Sequence, residues 1–272
     1  MNFSVLMSVY YKENPVFFDL ALKSNLIDQT LKPDEFVLVC DGSLNAELNE
    51  IIEKYSELFP NIFKVYRLAK NMGLGNALNF GLEKCNNEIV ARADSDDICL
   101  STRYEKQIAF LEKNQAVAVL GSAIDEFDVD PANPINVKIL PTDSKEIYSF
   151  AKFRNPLNHM SVIFKKSIVQ TVGSYIHMPY LEDYYLWLRI IATGYKVENL
   201  SDILVHTRIG NGMVVRRGNR EYISGWKKLS RYMLNEKMIN KAEYLRNVIA
   251  VRIFIYMPPF FKKILYKTFL RK

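Results

Sequence analysis

The sequence predicts an α/β protein whose mainly parallel sheet is flanked by helices on both faces. Strand-like and helix-like segments alternate four times within the first 113 residues, and such alternation produces parallel strands joined by crossover helices. The 272 residues are 49% hydrophobic and 24% charged, a globular composition that excludes disordered and collagen-like chains. No window approaches the ~20 uninterrupted apolar residues of a membrane-spanning helix.

Four apolar runs supply the predicted strands, and a helical segment follows each of them. Strand 3–9 precedes a helix that Pro15 opens and that extends to about Gln29. The next three pairs, strand first, are 35–40 with 45–58, 61–68 with 74–84, and 88–93 with 101–113. Parallel sheets bind ligands at the carboxyl ends of their strands, so we expect the chemistry in the loops that follow these strands.

Beyond Val117 the elements become shorter, which predicts a mixed second half. Strand-like pieces occupy 117–122, 135–140 and 159–164, and a helix with two acids in its first turn runs from 180 to a stop at Gly194. The boundary lies near 115–120. We therefore divide the chain into 1–118 and 119–212, as two halves of one domain, and a helical C-terminal region at 213–272.

The net charge of +6 is located at the C-terminal end. Glu243 is the last acid, and seven of the 36 basic residues follow it, so residues 1–243 carry 29 basic residues against 30 acids. Six aromatic residues lie between 254 and 269, and this mixture suits peripheral contact with anionic lipid head groups. The alternative is a packed helix with snorkelling lysines. Because the body has no basic stripe, we expect no nucleic-acid partner.

The cysteines and the N-terminus indicate a cytoplasmic protein. Cys40, Cys85 and Cys99 are odd in number and lack CxxC spacing, which suits a reducing compartment and predicts small apolar packing groups instead of a disulfide or zinc framework. Lys12 and Glu13 interrupt the N-terminal apolar run before a signal-peptide core is complete.

Three acidic motifs could carry chemistry. Asp94, Asp96 and Asp97 follow the fourth strand, and three carboxylates this close repel one another unless a cation or hydrogen-bond donors compensate them. Their oxygen atoms suit Mg²⁺ or Mn²⁺, and the alternative is a solvated acidic cap for the next helix. Asp41 ends the second strand in an Asp-Gly-Ser sequence that, taken alone, is a turn.

The third motif, Glu182-Asp183, opens a helix. Acids there stabilise the helix dipole, and the same N-terminus would hold a general base ionised, so position alone leaves both interpretations open. The sequence contains neither GxxxxGK[ST] nor GxSxG, which excludes the simplest phosphate-loop NTPases and serine hydrolases.

Five segments, in this order, resemble glycosyltransferase family 2, the inverting GT-A-fold enzymes that use nucleotide-sugar donors. They are SVLMSVYYKENP, CDGS, KNMGLGNALNFGL, ARADSDDI and LEDYYLWLRI. The resemblance covers about residues 2–210 and is greatest to bacterial transferases that build capsular, exopolysaccharide or O-antigen repeat units.

This resemblance implies a UDP-sugar site and a divalent cation, Mn²⁺ or Mg²⁺. Asp41 corresponds to the aspartate that bonds uracil, although Cys40 replaces the first of the family's usual two acids. Asp94 is expected near the ribose and the cation, Asp96 as a direct cation ligand, and Asp97 as a cap for the next helix. The remaining expected nucleotide-sugar contacts are Val9, Tyr10, Lys70, Asn71, Ser95, Arg208, Arg216 and Arg217.

The resemblance also assigns the acceptor side. Asp183 corresponds to the general base that takes a proton from the acceptor hydroxyl, with Glu182 the less favoured choice. His159 falls where relatives line the acceptor site, and His206 is either a third cation ligand or a structural histidine. The stretch containing Arg208 resembles a donor-closing loop whose arginines bond diphosphate, and a basic surface loop is the alternative.

The implied activity is transfer of a hexose, with glucose or galactose favoured, from a UDP-sugar to a lipid-diphosphate-linked saccharide at the inner face of the cytoplasmic membrane. Two alternatives remain open from the residues. A sugar-phosphate nucleotidyltransferase shares the strand–helix order, although an early Gly-rich phosphate loop is missing. A non-catalytic nucleotide-sugar or membrane-binding module would not need Glu182 and Asp183.

Overall fold

The four predicted strand–helix pairs are present in the computed structural model, which describes residues 1–209 and 220–257. The first pair ends earlier than expected. Its helix stops at Leu26, and the Gln29 side-chain amide donates to the carbonyl oxygens of Ser24 and Leu100, at 2.7 and 2.9 Å. The elements of this half are β1 (Phe3–Val9), α1 (Pro15–Leu26), β2 (Glu35–Cys40), α2 (Ala46–Leu58), β3 (Phe63–Arg67), α3 (Leu74–Lys84), β4 (Ile89–Ala93), β5 (Ile98–Cys99) and α4 (Arg103–Lys113).

The second half is mixed, as predicted, but its elements differ from the expected pieces. The predicted strand 159–164 begins as a turn of 3₁₀ helix at His159–Ser161, and a 13-residue strand near the C-terminal end of this half was not predicted. The elements are β6 (Val117–Phe127), β7 (Asn136–Lys138), α5 (Ser144–Phe150), β8 (Ile163–Lys165), α6 (Lys166–Thr171), α7 (Glu182–Ala192), β9 (Lys196–Arg208), α8 (Arg220–Asn235) and α9 (Lys241–Tyr256).

The nine strands of the described residues form one sheet in the order β3-β2-β1-β4-β8-β6-β9-β5, with β7 added to β6. Strands β3, β2, β1 and β4 are parallel, β8 is antiparallel to both of its neighbours, and β6 pairs in parallel with β9. The predicted boundary at 118/119 falls inside β6, so both halves share this sheet. That residues 1–118 bind the nucleotide sugar and residues 119–212 bind the acceptor remains a prediction.

The register of the central strands brings three loops to one edge of the sheet. Val9 at the end of β1 lies opposite Cys40 at the end of β2, and Met7 of β1 lies opposite Ala93 of β4. Tyr10, Asp41 and Asp94 are the next residues along these three strands. The strand-end loops are therefore neighbours, as the parallel arrangement predicts.

Apolar side chains fill both faces of the sheet. Leu6 and Val39 pack with α3 and α7 on one face, whereas Met7 packs with α1, α2 and α4 on the other. The three cysteines are buried and unpaired, which confirms their predicted packing role. Helix α7 is held in the core by Leu186 and Trp187, whose side chains are fully buried, so the acids at its N-terminus are attached to a rigid helix.

The C-terminal region is helical where it is described. Helices α8 and α9 account for most of residues 220–257, and residues 258–272 lie outside the described part. Within the residues that the structure describes, no helix is both long and apolar enough to span a bilayer.

Candidate functional site

Asp41 ties the end of β2 to the segment 70–73. Its buried carboxylate accepts hydrogen bonds from the backbone N–H groups of Met72 and Gly73, at 2.6 and 3.0 Å, and its backbone carbonyl accepts one from the Asn71 side chain at 3.3 Å. A carboxylate has about four lone-pair positions, so it can still accept a bond from a ligand. The structure thus gives Asp41 a positioning role beside its expected contact with uracil, which remains a prediction.

The other expected base contacts lie around Asp41. Val9 is buried, and its carbonyl oxygen accepts a hydrogen bond from the Asp41 N–H at 2.8 Å. Tyr10 is 36% exposed, and Lys70 and Asn71 are exposed. Apolar, aromatic and polar groups thus surround Asp41, a mixture that suits a nucleoside.

The acidic loop after β4 concentrates negative charge. One carboxylate oxygen from each of Asp94, Asp96 and Asp97 lies within 4.8 Å of the other two. Burial, together with Asp94 and Glu13, raises the pKa of Asp96 to about 7, and burial together with Asp94 and Asp96 raises the pKa of Asp97 well above its usual range. Three carboxylates with hard oxygen atoms held this close together fit a divalent cation such as Mn²⁺ or Mg²⁺.

Asp97 does not cap α4, contrary to the expectation. Its Oδ1 atom accepts a hydrogen bond from the backbone N–H of Arg208 at 2.8 Å, and Thr102 occupies the N-cap position of α4. Asp97 therefore holds the end of β9 against the acidic loop. This contact joins two segments that lie 111 residues apart, so no local sequence pattern could reveal it.

Arg208 and Ser95 complete the surroundings of the loop. The Arg208 guanidinium lies 3.7 Å from the ring centre of Phe17 and 4.5 Å from that of Phe127, and its Nε donates to the Asp96 carbonyl at 3.3 Å. Ser95 is buried and donates to Glu13 at 2.5 Å. Sequence reasoning did not single out Glu13 as a site residue. Its negative charge acts on Asp96, and it follows the first strand only after a turn.

His206 faces a different carboxylate. Its Nδ1 atom lies 2.8 Å from both Asp125 oxygens, and this pair sits between β6 and β9. In the part of the chain that the structure describes, the acidic group with mutually close ligand atoms consists of Asp94, Asp96 and Asp97 and does not include His206. The role of His206 as a third cation ligand stays a prediction, with Asp125 as the group that orients its ring.

The acids of α7 lie at the helix N-terminus, as predicted. The Asn155 side-chain Nδ2 donates to Asp183 Oδ2 at 2.6 Å, and the side-chain Oδ1 of Asn155 accepts from the Leu157 N–H at 3.3 Å, which fixes the amide orientation. Burial, with a smaller effect of Asp183, raises the pKa of Glu182. The Asn155 hydrogen bond thus positions the Asp183 carboxylate, the favoured candidate base.

A pocket of about 250 Å³ connects the two acidic groups. Small-molecule sites begin at ~300 Å³, so this space suits one sugar ring more than a whole nucleotide sugar. A larger, open depression of about 570 Å³ lies between α1 and α2 and is lined by none of the candidate site residues. The chemically relevant lining residues of the smaller pocket are Arg92, Asp94, Lys138, Asn155, His159, Tyr175, Tyr180, Glu182 and Asp183.

The inner wall of the pocket contains a histidine–tyrosine pair. His159 Nε2 lies 2.9 Å from the Tyr175 hydroxyl, and burial with the positive charge of Arg92 lowers the pKa of His159 well below its usual range. His159 is thus a neutral hydrogen-bonding group, which is compatible with its expected place beside a sugar.

Arg92 is a buried cation that the sequence did not single out. It forms an ion pair with Asp94, while its Nε and Nη1 atoms are buried without a hydrogen-bond partner in the described part of the chain. Buried, unsatisfied donors are rare in folded proteins. Their position at the pocket wall fits a site that ordered water or a polar ligand completes.

Tyr180 marks the mouth of the pocket. Its φ of +68° is rare for a bulky residue, and its side chain is 40% exposed. Backbone strain of this kind persists where the surrounding structure enforces it, often at ligand sites.

Of the predicted loop arginines, Arg216 and Arg217 lie outside the described residues.

The arrangement agrees with the family model for glycosyl transferase family 2, which matches residues 4–172. The chain belongs to glycosyltransferase family 2. Among curated relatives, the amylovoran biosynthesis glycosyltransferase AmsE of Erwinia amylovora is 44% identical over 232 residues, which are 85% of this chain and 85% of that protein. A UDP-Gal:alpha-D-GlcNAc-diphosphoundecaprenol beta-1,3-galactosyltransferase of Escherichia coli is 37% identical over 272 residues, covering 100% of this chain and 97% of the relative.

The fold of this family 2 glycosyltransferase is also found in solved structures. The structure of S. aureus TarS residues 1–349 in complex with UDP-GlcNAc superposes with a TM-score of 0.70 and 19% identity, covering 94% of this chain and 73% of that one. At this identity the likeness shows the fold alone. The predicted GT-A fold is thereby confirmed.

Proposed function

We propose that this glycosyltransferase transfers a hexose, glucose or galactose, from a UDP-sugar to a lipid-diphosphate-linked saccharide in the synthesis of a bacterial surface polysaccharide. One observation carries the proposal: Asp94 of the acidic loop and Asp183 of α7 line the same pocket although they lie 89 residues apart. A donor-side carboxylate and a candidate base thus face one sugar-sized space. The names of the E. coli and E. amylovora relatives support the substrate class.

The two ends of the pocket divide the substrates. Residues 1–118 hold the nucleotide. Asp41 and the segment 70–73 lie at the uracil ring, and the acidic loop lies at the diphosphate. Residues 119–212 supply Asp183, His159 and the acceptor side of the pocket. A divalent cation held by Asp94 and Asp96 would neutralise the charge of the leaving diphosphate. The Arg208 guanidinium lies beside the same loop.

The reaction is a single in-line displacement. Asp183 accepts the proton of the acceptor hydroxyl. At the same time the hydroxyl oxygen bonds to the anomeric carbon, and the bond from that carbon to the diphosphate oxygen breaks. Attack from the face opposite the leaving group inverts the anomeric configuration. Asn155 holds the Asp183 carboxylate in place through its 2.6 Å hydrogen bond, so the base does not have to be ordered during the reaction.

We place the reaction at the inner face of the cytoplasmic membrane. The lipid-linked acceptor class requires a membrane surface, and the excess of positive charge after Glu243 supplies attraction to anionic lipids.

Asp96→Asn and Asp183→Asn test the proposal. Each variant should lower the rate of hexose transfer at least ~100-fold while thermal unfolding stays cooperative, because each removes a charged group from the reaction without changing side-chain shape. Asp202→Asn is the matched control, since Asp202 pairs with Lys106 at the surface. Product release is followed as UDP, and the product anomer is assigned by NMR.

Three outcomes would contradict the proposal. Full turnover by both site variants would remove the assigned residues from the mechanism. Release of pyrophosphate from a nucleoside triphosphate and a sugar phosphate would identify a nucleotidyltransferase. Cation-dependent UDP binding without transfer to any lipid-linked acceptor would identify a binding module.

A further inference from the structure

Helix α9 presents three large apolar side chains to solvent on one face. Leu245, Ile249 and Ile253 are 57%, 45% and 57% exposed, and each lies one helical turn after the previous one. At a rise of ~1.5 Å per residue the three span roughly 12 Å. Isolated exposed apolar residues are common, whereas an aligned set on one helix face indicates a contact surface.

Cations flank this stripe on both sides. With ~100° per residue, Lys241 and Arg252 project to one side of the stripe and Arg246 to the other, and all three are exposed. Glu243 is the only acid of α9, and it projects away from the stripe, where it closes the capping box with Asn240. The exposed arc of α9 therefore combines an apolar centre with exclusively positive edges.

The opposite face of α9 is fixed to the body of the protein. Asn247 is buried on that face, and its side-chain amide donates to the Lys152 carbonyl oxygen at 2.7 Å. The same segment continues directly into Asn155, which bonds Asp183. The exposed stripe thus belongs to a helix that is anchored three residues from the group that positions the candidate base.

Charge decides which occupant suits the stripe. From residue 244 to residue 272 the sequence contains seven basic residues and no acid. A second copy of this chain placed on α9 would bring two such segments together, and covering the stripe with residues 258–272 would place five further positive charges beside Arg246 and Arg252. Like charges repel, whereas an anionic lipid surface attracts each Lys or Arg near it.

We propose that the face of α9 formed by Leu245, Ile249 and Ile253, with Lys241, Arg246 and Arg252 at its edges, docks on an anionic lipid bilayer. The apolar side chains enter the boundary between head groups and acyl chains, and the cations contact phosphate groups. This inference rests on the proposed function for its purpose, because a docked α9 holds the 152–155 segment and the Asp183 pocket close to a lipid-linked acceptor. It locates the contact on α9 itself.

The test is co-sedimentation of the full chain with vesicles of phosphatidylethanolamine and phosphatidylglycerol, without any sugar substrate. The double variant Ile249→Gln with Ile253→Gln should bind these vesicles at least ~10-fold more weakly, because two apolar side chains no longer leave water. Wild-type binding should fall with rising salt and on vesicles of zwitterionic phosphatidylcholine. Transfer to a water-soluble acceptor analogue should be unchanged.

The control removes apolar groups of the same kind elsewhere. Leu58→Gln with Ile27→Gln replaces side chains that are 55% and 42% exposed outside α9, and it should bind vesicles as the wild type does. Unchanged vesicle binding by the α9 variant overturns the proposal. A change of oligomeric state with unchanged lipid binding identifies the stripe as a contact between copies and also overturns it. Loss of transfer activity in Asp183→Asn has no bearing on vesicle binding, so failure of the proposed function is separately visible.

Discussion

Gly42 lies so close to the segment 70–71 that a methyl group added there has no room. Its φ is +90°, and a Cβ atom would lie 2.8 Å from the backbone nitrogen of Asn71 and 3.1 Å from the carbonyl carbon of Lys70. Both neighbours are backbone atoms, so the segment itself must move. In Gly42→Ala the left-handed backbone costs ~1–2 kcal/mol and the overpacking a further ~1–3 kcal/mol, which gives a total loss of about 2–5 kcal/mol.

Gly194→Ala separates the two contributions. Gly194 has a φ of +83° and no atom within 4 Å of the added Cβ, so this variant carries the backbone cost alone. At ~2 °C per kcal/mol for a chain of this size, Gly194→Ala should lower Tm by about 2–4 °C and Gly42→Ala by about 4–10 °C. Differential scanning fluorimetry measures both values.

The functional consequence is specific to Gly42. Movement of 70–71 disturbs the two N–H groups that bond Asp41, so Gly42→Ala should weaken UDP binding in calorimetry while Gly194→Ala leaves it unchanged. Equal Tm losses in the two variants would show that the segment yields without cost. A larger Tm loss with an unchanged Kd for UDP would show that the segment takes no part in nucleotide binding.

Four further predictions concern the pocket and the acidic loop. Asn155→Ala removes the hydrogen bond to Asp183 and should lower kcat about 10- to 100-fold with little change in KM for the donor, in steady-state kinetics; an unchanged kcat would show that the base needs no such support. Tyr180→Ala should raise KM for the acceptor several-fold and leave UDP binding intact, and an effect on UDP alone would place Tyr180 on the donor side. Because the Asp96 pKa is raised to about 7, Mn²⁺ affinity measured by EPR should fall as pH decreases below 7, and Asp96→Asn should weaken Mn²⁺ binding at pH 8; unchanged affinity in this variant would contradict the assignment of Asp96 as a ligand. The same raised pKa makes the cation-free protein lose stability as pH rises from about 4 to 7, since the folded state binds the proton more tightly than the unfolded state there; a flat profile in thermal melts would contradict this.

The N-terminal half shows what local patterns specify well. Buried parallel strands are continuous apolar runs, so their positions could be predicted from 3–9, 35–40 and 88–93 to within a residue. The residues that follow such strands are fixed at one sheet edge, which is why Asp41 and Asp94 could be named in advance. The second half was harder. Strand β9 alternates polar and apolar residues irregularly, and its pairing with β6 shifts register three times, between Val117 and Val119 and on both sides of Ala123.

In the C-terminal region, local sequence patterns could not predict which helix face is exposed. Its charge imbalance is visible in composition alone, but the apolar residues of α9 are distributed around the whole helix. Only packing separates the two faces: Asn247 is buried and bonds the Lys152 carbonyl oxygen, while Leu245, Ile249 and Ile253 stay exposed. Hydrophobic periodicity cannot report which apolar face is covered when both faces are apolar.

The sequence by itself determined the fold class, the acidic residues of the candidate site and the location of the positive charge, since each depends on residue types within a few positions of one another. The tertiary structure alone decided that Asp94 and Asp183 share a pocket, that Asn155 positions Asp183, that Asp97 holds Arg208 instead of capping α4, and that His206 faces Asp125. These are contacts between segments tens of residues apart. Their geometry is set by strand register and by which helix faces pack together, and neither is encoded in the spacing of residues along one segment.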